Sequence, residues 1–284
     1  MNKTLTLLSF LTLIIFLGGV VHGHADQSIS QPALGEKAFN NPHLFSEITR
    51  ATVKDSQGNY AGRITDLVID PDGGISFVIL SPMGMDVTYE RLVALPFNTV
   101  TFEDKYLVLN TTSEKLVNAP LFRRNYLIAR NWAEDANRYF GVQPSWREGG
   151  ERDACEMTTD VSHQISMIKG WNRPYEATEV VGTKVRDPQG EEVGKIEDLV
   201  FDDEGRISFA IVGYGGFLGI GQNLVAVPVN SFSYNEESRH FVIDATKGRT
   251  QSAPLFSKKA LHNPGWPDGI YLYFGQQHYW TNEK

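Results

Sequence analysis

Most of this chain is one domain-length stretch written twice. Residues 45–100 recur as residues 177–232, each 132 positions later, and after a two-residue insertion residues 106–146 recur as residues 240–280 at an offset of 134. The matches fall on turn and core positions: Gly58/Gly190, Gly62/Gly194, Asp66/Asp198, Leu67/Leu199, Asp70/Asp202, Gly73/Gly205, Phe77/Phe209 and Pro96/Pro228. APLF at residues 119–122 returns at 253–256, and YFG at 139–141 returns at 273–275. Solenoid units span only ~20–50 residues, so a whole domain is duplicated here. Groups that the fold needs should therefore occur in both copies. Groups found in one copy only are candidates for something else.

The N-terminus reads as an address. Lys3 precedes an apolar run over residues 5–21, and Gly23 and Ala25 follow with the spacing of a cleavage site. This predicts a signal peptide over residues 1–25 and a periplasmic or secreted protein. The alternative is a retained membrane anchor, although the run falls slightly short of the ~20 residues of a spanning helix. No Cys follows the run, which excludes lipid attachment of the bacterial lipoprotein type. The formal charge is −8 with no long basic block, so the cationic footprint of a nucleic-acid binder is missing. Arg123-Arg124 and Lys258-Lys259 read as solvated faces. Cys155 is the single cysteine, which leaves a free thiol or a disulfide to another chain. The expected layout is repeat one at 41–146, a polar linker at 147–170 with a short helix near 162–169, and repeat two at 171–280.

Within each repeat the signal is β. Ile207, Phe209 and Ile211 alternate with Ser208 and Ala210, as Ile75, Phe77 and Ile79 do in the first repeat, which predicts strands with one apolar face. Val93/Leu95 and Leu107/Leu109 match Val225/Val227 and Phe241/Ile243 in the same way. Turn formers separate them: Asp55 to Gly58 by Asp187 to Gly190, and Asp70 to Gly73 by Asp202 to Gly205. Five or six short strands per repeat predict a small barrel or strongly curled sheet. Ser46-Glu47 and Thr178-Glu179 look like one helical turn before the first long strands. Asn131, with Glu134 three residues on and Gly141 as a stop, predicts a short helix carrying Trp132, Tyr139 and Phe140 onto its barrel.

The second repeat runs Ala-Thr-Glu-Val-Val-Gly to Gly182, then the Asp187 turn, Gly-Lys-Ile-Glu-Asp-Leu-Val from Gly194, Gly-Arg-Ile-Ser-Phe-Ala-Ile from Gly205, GGFLGIG at 215–221 and Ala-Val-Pro to Pro228. This order resembles the PRC-barrel domain, shared by the H subunit of the photosynthetic reaction centre and a ribosome maturation factor. The first repeat is similar through Gly58, Gly62, Ile64, Asp66, Gly73 and Pro96. It departs at Arg50, which stands for Gly182, and at residues 81–91, which replace the glycine-rich segment. The resemblance implies a mainly β fold: two small PRC-type barrels in tandem, each followed by a short helical, aromatic tail. It implies an adaptor that docks on partner proteins, with no chemistry general to the fold.

The candidate sites divide into shared and unshared groups. Residues 215–221 lead into a strand pattern rather than a helix, which argues against a phosphate loop. They read as a wide hairpin turn, or as an apolar knob of Phe217, Leu218 and Ile220 for a partner. Tyr271, Tyr279 and His278 are extra aromatic groups of the second tail, and Tyr271 and Tyr279 join the knob as partner-binding candidates. Asp70/Asp72 and Asp202/Asp203/Glu204 lack the spaced oxygens of a calcium loop and read as hairpin turns. Asp66 and Asp198 read as structural acceptors at a bulge, one per barrel, with no second carboxylate beside either. The histidines show no metal-ligand spacing, and the acidic surroundings of Cys155 disfavour a thiolate. No catalytic, cofactor or metal site is predicted.

The aromatic tails are expected to pack the two barrels as a pseudo-twofold pair. The functional expectation is a non-enzymatic binding or scaffolding module of the bacterial envelope with an unknown protein partner. An envelope enzyme or small-molecule carrier with a site between the barrels stays open, as does a membrane-tethered cap on an electron-transfer complex.

Overall fold

A computed structural model describes residues 39, 41–83, 91–103, 106–129, 131–143, 168–216 and 221–278. The first repeat contains β1 (His43–Leu44), α1 (Phe45–Ile48), β2 (Thr52–Lys54), β3 (Tyr60–Ile69), β4 (Ile75–Pro82), β5 (Val93–Pro96), β6 (Val100–Phe102), β7 (Tyr106–Leu109), α2 (Ser113–Val117) and α3 (Asn131–Phe140). The second contains β8 (Tyr175–Glu176), α4 (Ala177–Val180), β9 (Lys184–Arg186), β10 (Glu192–Phe201), β11 (Ile207–Tyr214), β12 (Asn223–Pro228), β13 (Phe232–Asn235), β14 (His240–Ile243), α5 (Lys247–Gln251) and α6 (Trp266–Phe274). No helix among the described residues is long and apolar enough to cross a membrane.

The strands form two curled sheets of the same order, β5-β4-β3-β2-β7-β6 and β12-β11-β10-β9-β14-β13. All pairs within these paths are antiparallel except β2 with β7 and β9 with β14. The turns are those read from the sequence. Gly58, Gly73, Gly190 and Gly205 all have φ near +80° and donate their amide to the carbonyl of Asp55, Asp70, Asp187 and Asp202. Asp55 and Asp187 also hold the start of the following helix: Asp55 accepts from the amide and hydroxyl of Ser113, and Asp187 from the amide of Lys247. The bond from the Ser113 hydroxyl holds the Asp55 carboxyl below its ordinary range.

Each sheet is finished by the other repeat. β1 pairs with the end of β10, His43 opposite Phe201, and β8 pairs with the end of β3, Tyr175 opposite Ile69. The two lobes are therefore joined by a reciprocal exchange of their first strands. The tails do something else. Trp132 packs tilted on Phe77 and edge-on to Phe122 of its own repeat, and Trp266 packs tilted on Phe209 and Phe256 of its own. The expectation that the tails hold the lobes together is thus corrected: α3 and α6 are lids on their own sheets.

These lids also correct the one-faced strand pattern. In β4, Ser76 through Leu80 are all buried. Val78 and Leu80 line the main core, whereas Phe77 and Ile79 face a second cluster with Val68, Ala94, Phe122, Ala133 and Ala136. Alternation in the sequence marked the face under the tail helix, while Val, Leu and Ala on the other face are small or aliphatic enough to fill the curl. The helix expected near 162–169 lies outside the described residues except for its end, where Lys169 forms an isolated bridge to Ser233.

Candidate functional site at the seam between the repeats

The seam is built from the bulge aspartates. The pairing register slips between Ile64 and Asp66 in β3 and between Ile196 and Asp198 in β10, so both lie at β-bulges, as expected for structural acceptors. Each carboxylate points at the first helical turn of the opposite repeat. Asp66 accepts from the amide of Thr178 at 3.1 Å and from its hydroxyl, and also from the amide of Leu67. Asp198 accepts from the amide of Ser46 at 3.0 Å and from its hydroxyl, and also from the amide of Leu199. The unpaired donors at each helix start are met by a charged acceptor 112 or 152 residues away.

Around this shared lock the two sides differ. Arg124 places Nη1 2.9 Å from Asp66 and 2.7 Å from Glu176. Asp66 is fully buried, Glu176 nearly so, and Arg124 is 41% exposed. Burial raises the Glu176 pKa and the neighbouring Asp66 charge adds to it, against the pull of Arg124. Burial alone would lower the Arg124 pKa, but its bonds to Asp66 and Glu176 raise it. On the other side Leu44 and Lys258 stand for Glu176 and Arg124, and Lys258 reaches the exposed Glu47 instead. Two expectations are corrected here. Asp66 does have a second carboxylate beside it, delivered by the strand exchange, and Arg124 is no solvated cation. Comparing residues 44 and 124 with 176 and 258 shows the unshared charges, but their meeting depends on an exchange that spacing does not reveal.

The acidic turns meet across the same seam. The amide of Ile75 donates to Gly205 at 2.8 Å and that of Ile207 to Gly73 at 3.3 Å. Asp203 is held by His43 at 2.7 Å and by Asn41 at 2.8 Å, and the His43 ring stacks 4.0 Å from Phe102. Among the described residues no group of three or more His, Cys, Asp or Glu could hold a metal ion. One void touches the seam through Gly73. It measures about 10 Å³, at the lower limit of what one water needs, and is lined by apolar residues including Ile168, Trp171 and Phe241.

The partner-binding candidates separate. Tyr271 is a correction: it is 2% exposed, packs against Phe209 at 5.1 Å and donates to the carbonyl of Ser208. Its apolar surroundings push its hydroxyl pKa well above the tyrosine range. It is a core group, and its ring is buried because α6 turns that face onto β11. Phe217, Leu218, Ile220 and Tyr279 lie outside the described residues, as do Cys155 and residues 1–38. The stem of the glycine-rich loop is described: β11 and β12 pair from Phe209–Pro228 to Tyr214–Asn223, and Gly215, Gly216 and Gly221 have positive φ. The stem is a hairpin, with no helix behind it to hold a phosphate.

The PRC-barrel domain model matches residues 42–116 and 174–249, together just over half of the 284 residues. The chain belongs to the PRC-barrel family, and it carries the domain twice. No curated protein matched the chain.

Proposed function

We propose that this protein is an exported, non-enzymatic scaffold of the bacterial envelope that binds another protein. The observation that carries the reading is the use made of the carboxylates at the seam. Asp66 and Asp198 read from the sequence as structural acceptors, and each carboxylate accepts from the amide and hydroxyl at the start of the opposite repeat's helix. The resulting two-lobed body has a fixed geometry, which suits presentation of loops at set positions. The glycine-rich segment at 215–221, whose sequence the first repeat lacks, is the proposed docking element through Phe217, Leu218 and Ile220. Leu255 and Leu272 add exposed apolar surface to that repeat. Export rests on the N-terminal run and its small-residue site.

Affinity capture from the envelope fraction tests the binding reading. Phe217→Asp with Leu218→Asp, in a chain that keeps its thermal transition, is expected to abolish recovery of the partner. Undiminished recovery would sink it. N-terminal sequencing of the mature protein tests export, with a new terminus after Ala25 as the expected result.

A further inference from the structure

Each sheet path has two ends, and an uncovered end strand is a template for another strand. Three of the four ends are covered by the chain itself. The amide of Phe122 donates to Leu92 beside β5, that of Phe256 to Leu224 in β12, and that of Tyr234 in β13 to Lys169. Among the described residues no strand pairs with the outer edge of β6. The ladder fixes which groups that edge offers. Asn110 donates to Thr99 and Glu103 to Tyr106, so the alternation turns the amides and carbonyls of Val100 and Phe102 outward. Phe102 is the counterpart of Tyr234, whose amide is the bonded one in the second repeat. Thr101 and Glu103 beside it are exposed.

By sequence, residues 36–39 are ill suited to cover β6 as residues 168–171 cover β13. The covering segment of the second repeat reads Ile168, Lys169, Gly170, Trp171; the same positions of the first read Glu36, Lys37, Ala38, Phe39. Ile168 is buried in the core, where a carboxylate at that place would be left unpaired. Gly170 has φ +84°, and a Cβ there would lie 2.4 Å from the carbonyl oxygen of Tyr234. Ala38 supplies that Cβ. Phe39 accordingly goes elsewhere: it meets Phe209 of the second repeat edge-on at 5.7 Å, whereas Trp171 packs on Tyr175 and Phe241 of its own.

We infer that β6 is a strand-addition site for an extended segment of a partner protein. The segment runs parallel to β6, as Lys169 does to Ser233, and carries a glycine where the backbones approach most closely. Its flanks follow the pattern that already fits the second edge, an apolar residue two before the glycine and an aromatic one after it. This edge belongs to the first repeat and is independent of the loop at 215–221, so either surface can fail without the other.

The test is hydrogen exchange read by NMR on the full chain, with a synthetic peptide of residues 164–173 as probe. A saturating peptide is expected to slow exchange of the Phe102 amide at least tenfold, and the same peptide with Gly170→Ala to leave it unchanged. An unaffected Phe102 amide overturns the inference. So does slowing in the free chain: if it grows with protein concentration a second copy holds the edge, and if it does not the chain covers itself. Equal slowing by the glycine and alanine peptides also overturns it, because the close approach would then be absent.

Discussion

Arg206 donates from Nε to Asp202 at 2.9 Å, and Gly74 stands in its place beside Asp70. Among the described residues the Asp70 carboxyl is bonded by the Ser76 hydroxyl at 3.0 Å alone, with Asp72 as a like-charged neighbour. Burial is the main reason its pKa rises from 3.8 to about 7. The native state then holds a proton that the unfolded chain has released between those values. Stability from this group is complete below pH 4 and is lost as pH climbs through 7. Asp70→Asn should remove the decline, raising stability at pH 8 by about 1–2 kcal/mol and changing nothing at pH 4. Urea melts of both proteins across pH 4–8 check this; parallel curves would contradict it.

Arg124 and Lys258 share a sequence position and should differ sharply in cost. Arg124→Ala strips two buried carboxylates of their cation, an effect of about 3–5 kcal/mol. Lys258→Ala loses an exposed pair with Glu47, worth about 0–1 kcal/mol. Denaturant midpoints of the two variants measure the contrast, and equal losses would mean that the buried cluster is not coupled to the fold.

Gly190 and Gly205 both adopt positive φ, so alanine at either is strained by about 1–2 kcal/mol. Only at Gly205 does the added Cβ also meet a ring, 2.8 Å from Phe97 across the seam. Gly205→Ala should therefore cost about 1–3 kcal/mol more than Gly190→Ala. Thermal melts of the pair decide it, and matched midpoints would show that Phe97 moves aside freely.

Tyr271→Phe deletes the bond to the Ser208 carbonyl and keeps the ring. The expected loss is about 1 kcal/mol of stability with partner recovery unchanged. Reduced recovery from a chain of normal stability would return Tyr271 to the surface role that its burial argues against.

The sequence comparison read the turns and tails well because they are local. Asp70 and Gly73, or Gly141 at the end of α3, state their geometry within a few residues. What it could not read was which repeat a short segment joins. His43 and Tyr175 lie at matched positions and look like ordinary leading residues, yet each pairs across the seam. Two-residue strands carry too little periodicity to announce a partner. The burial of Tyr271 was hidden for a related reason. Its aromatic character fits an interface and a core equally, and only the orientation of α6 over Phe209 separates the two.

The exchange of β1 and β8 also sets an order of events. A ribosome makes the first repeat long before Tyr175 and Glu176 exist, so the end of β3 waits with its outer edge unsatisfied. Asp66 waits too, because Thr178 is its principal donor. The first repeat alone cannot complete its fold during synthesis; the earliest moment of closure is the arrival of the turn after Glu176. A chain truncated before that point should be an incomplete sheet rather than a finished barrel.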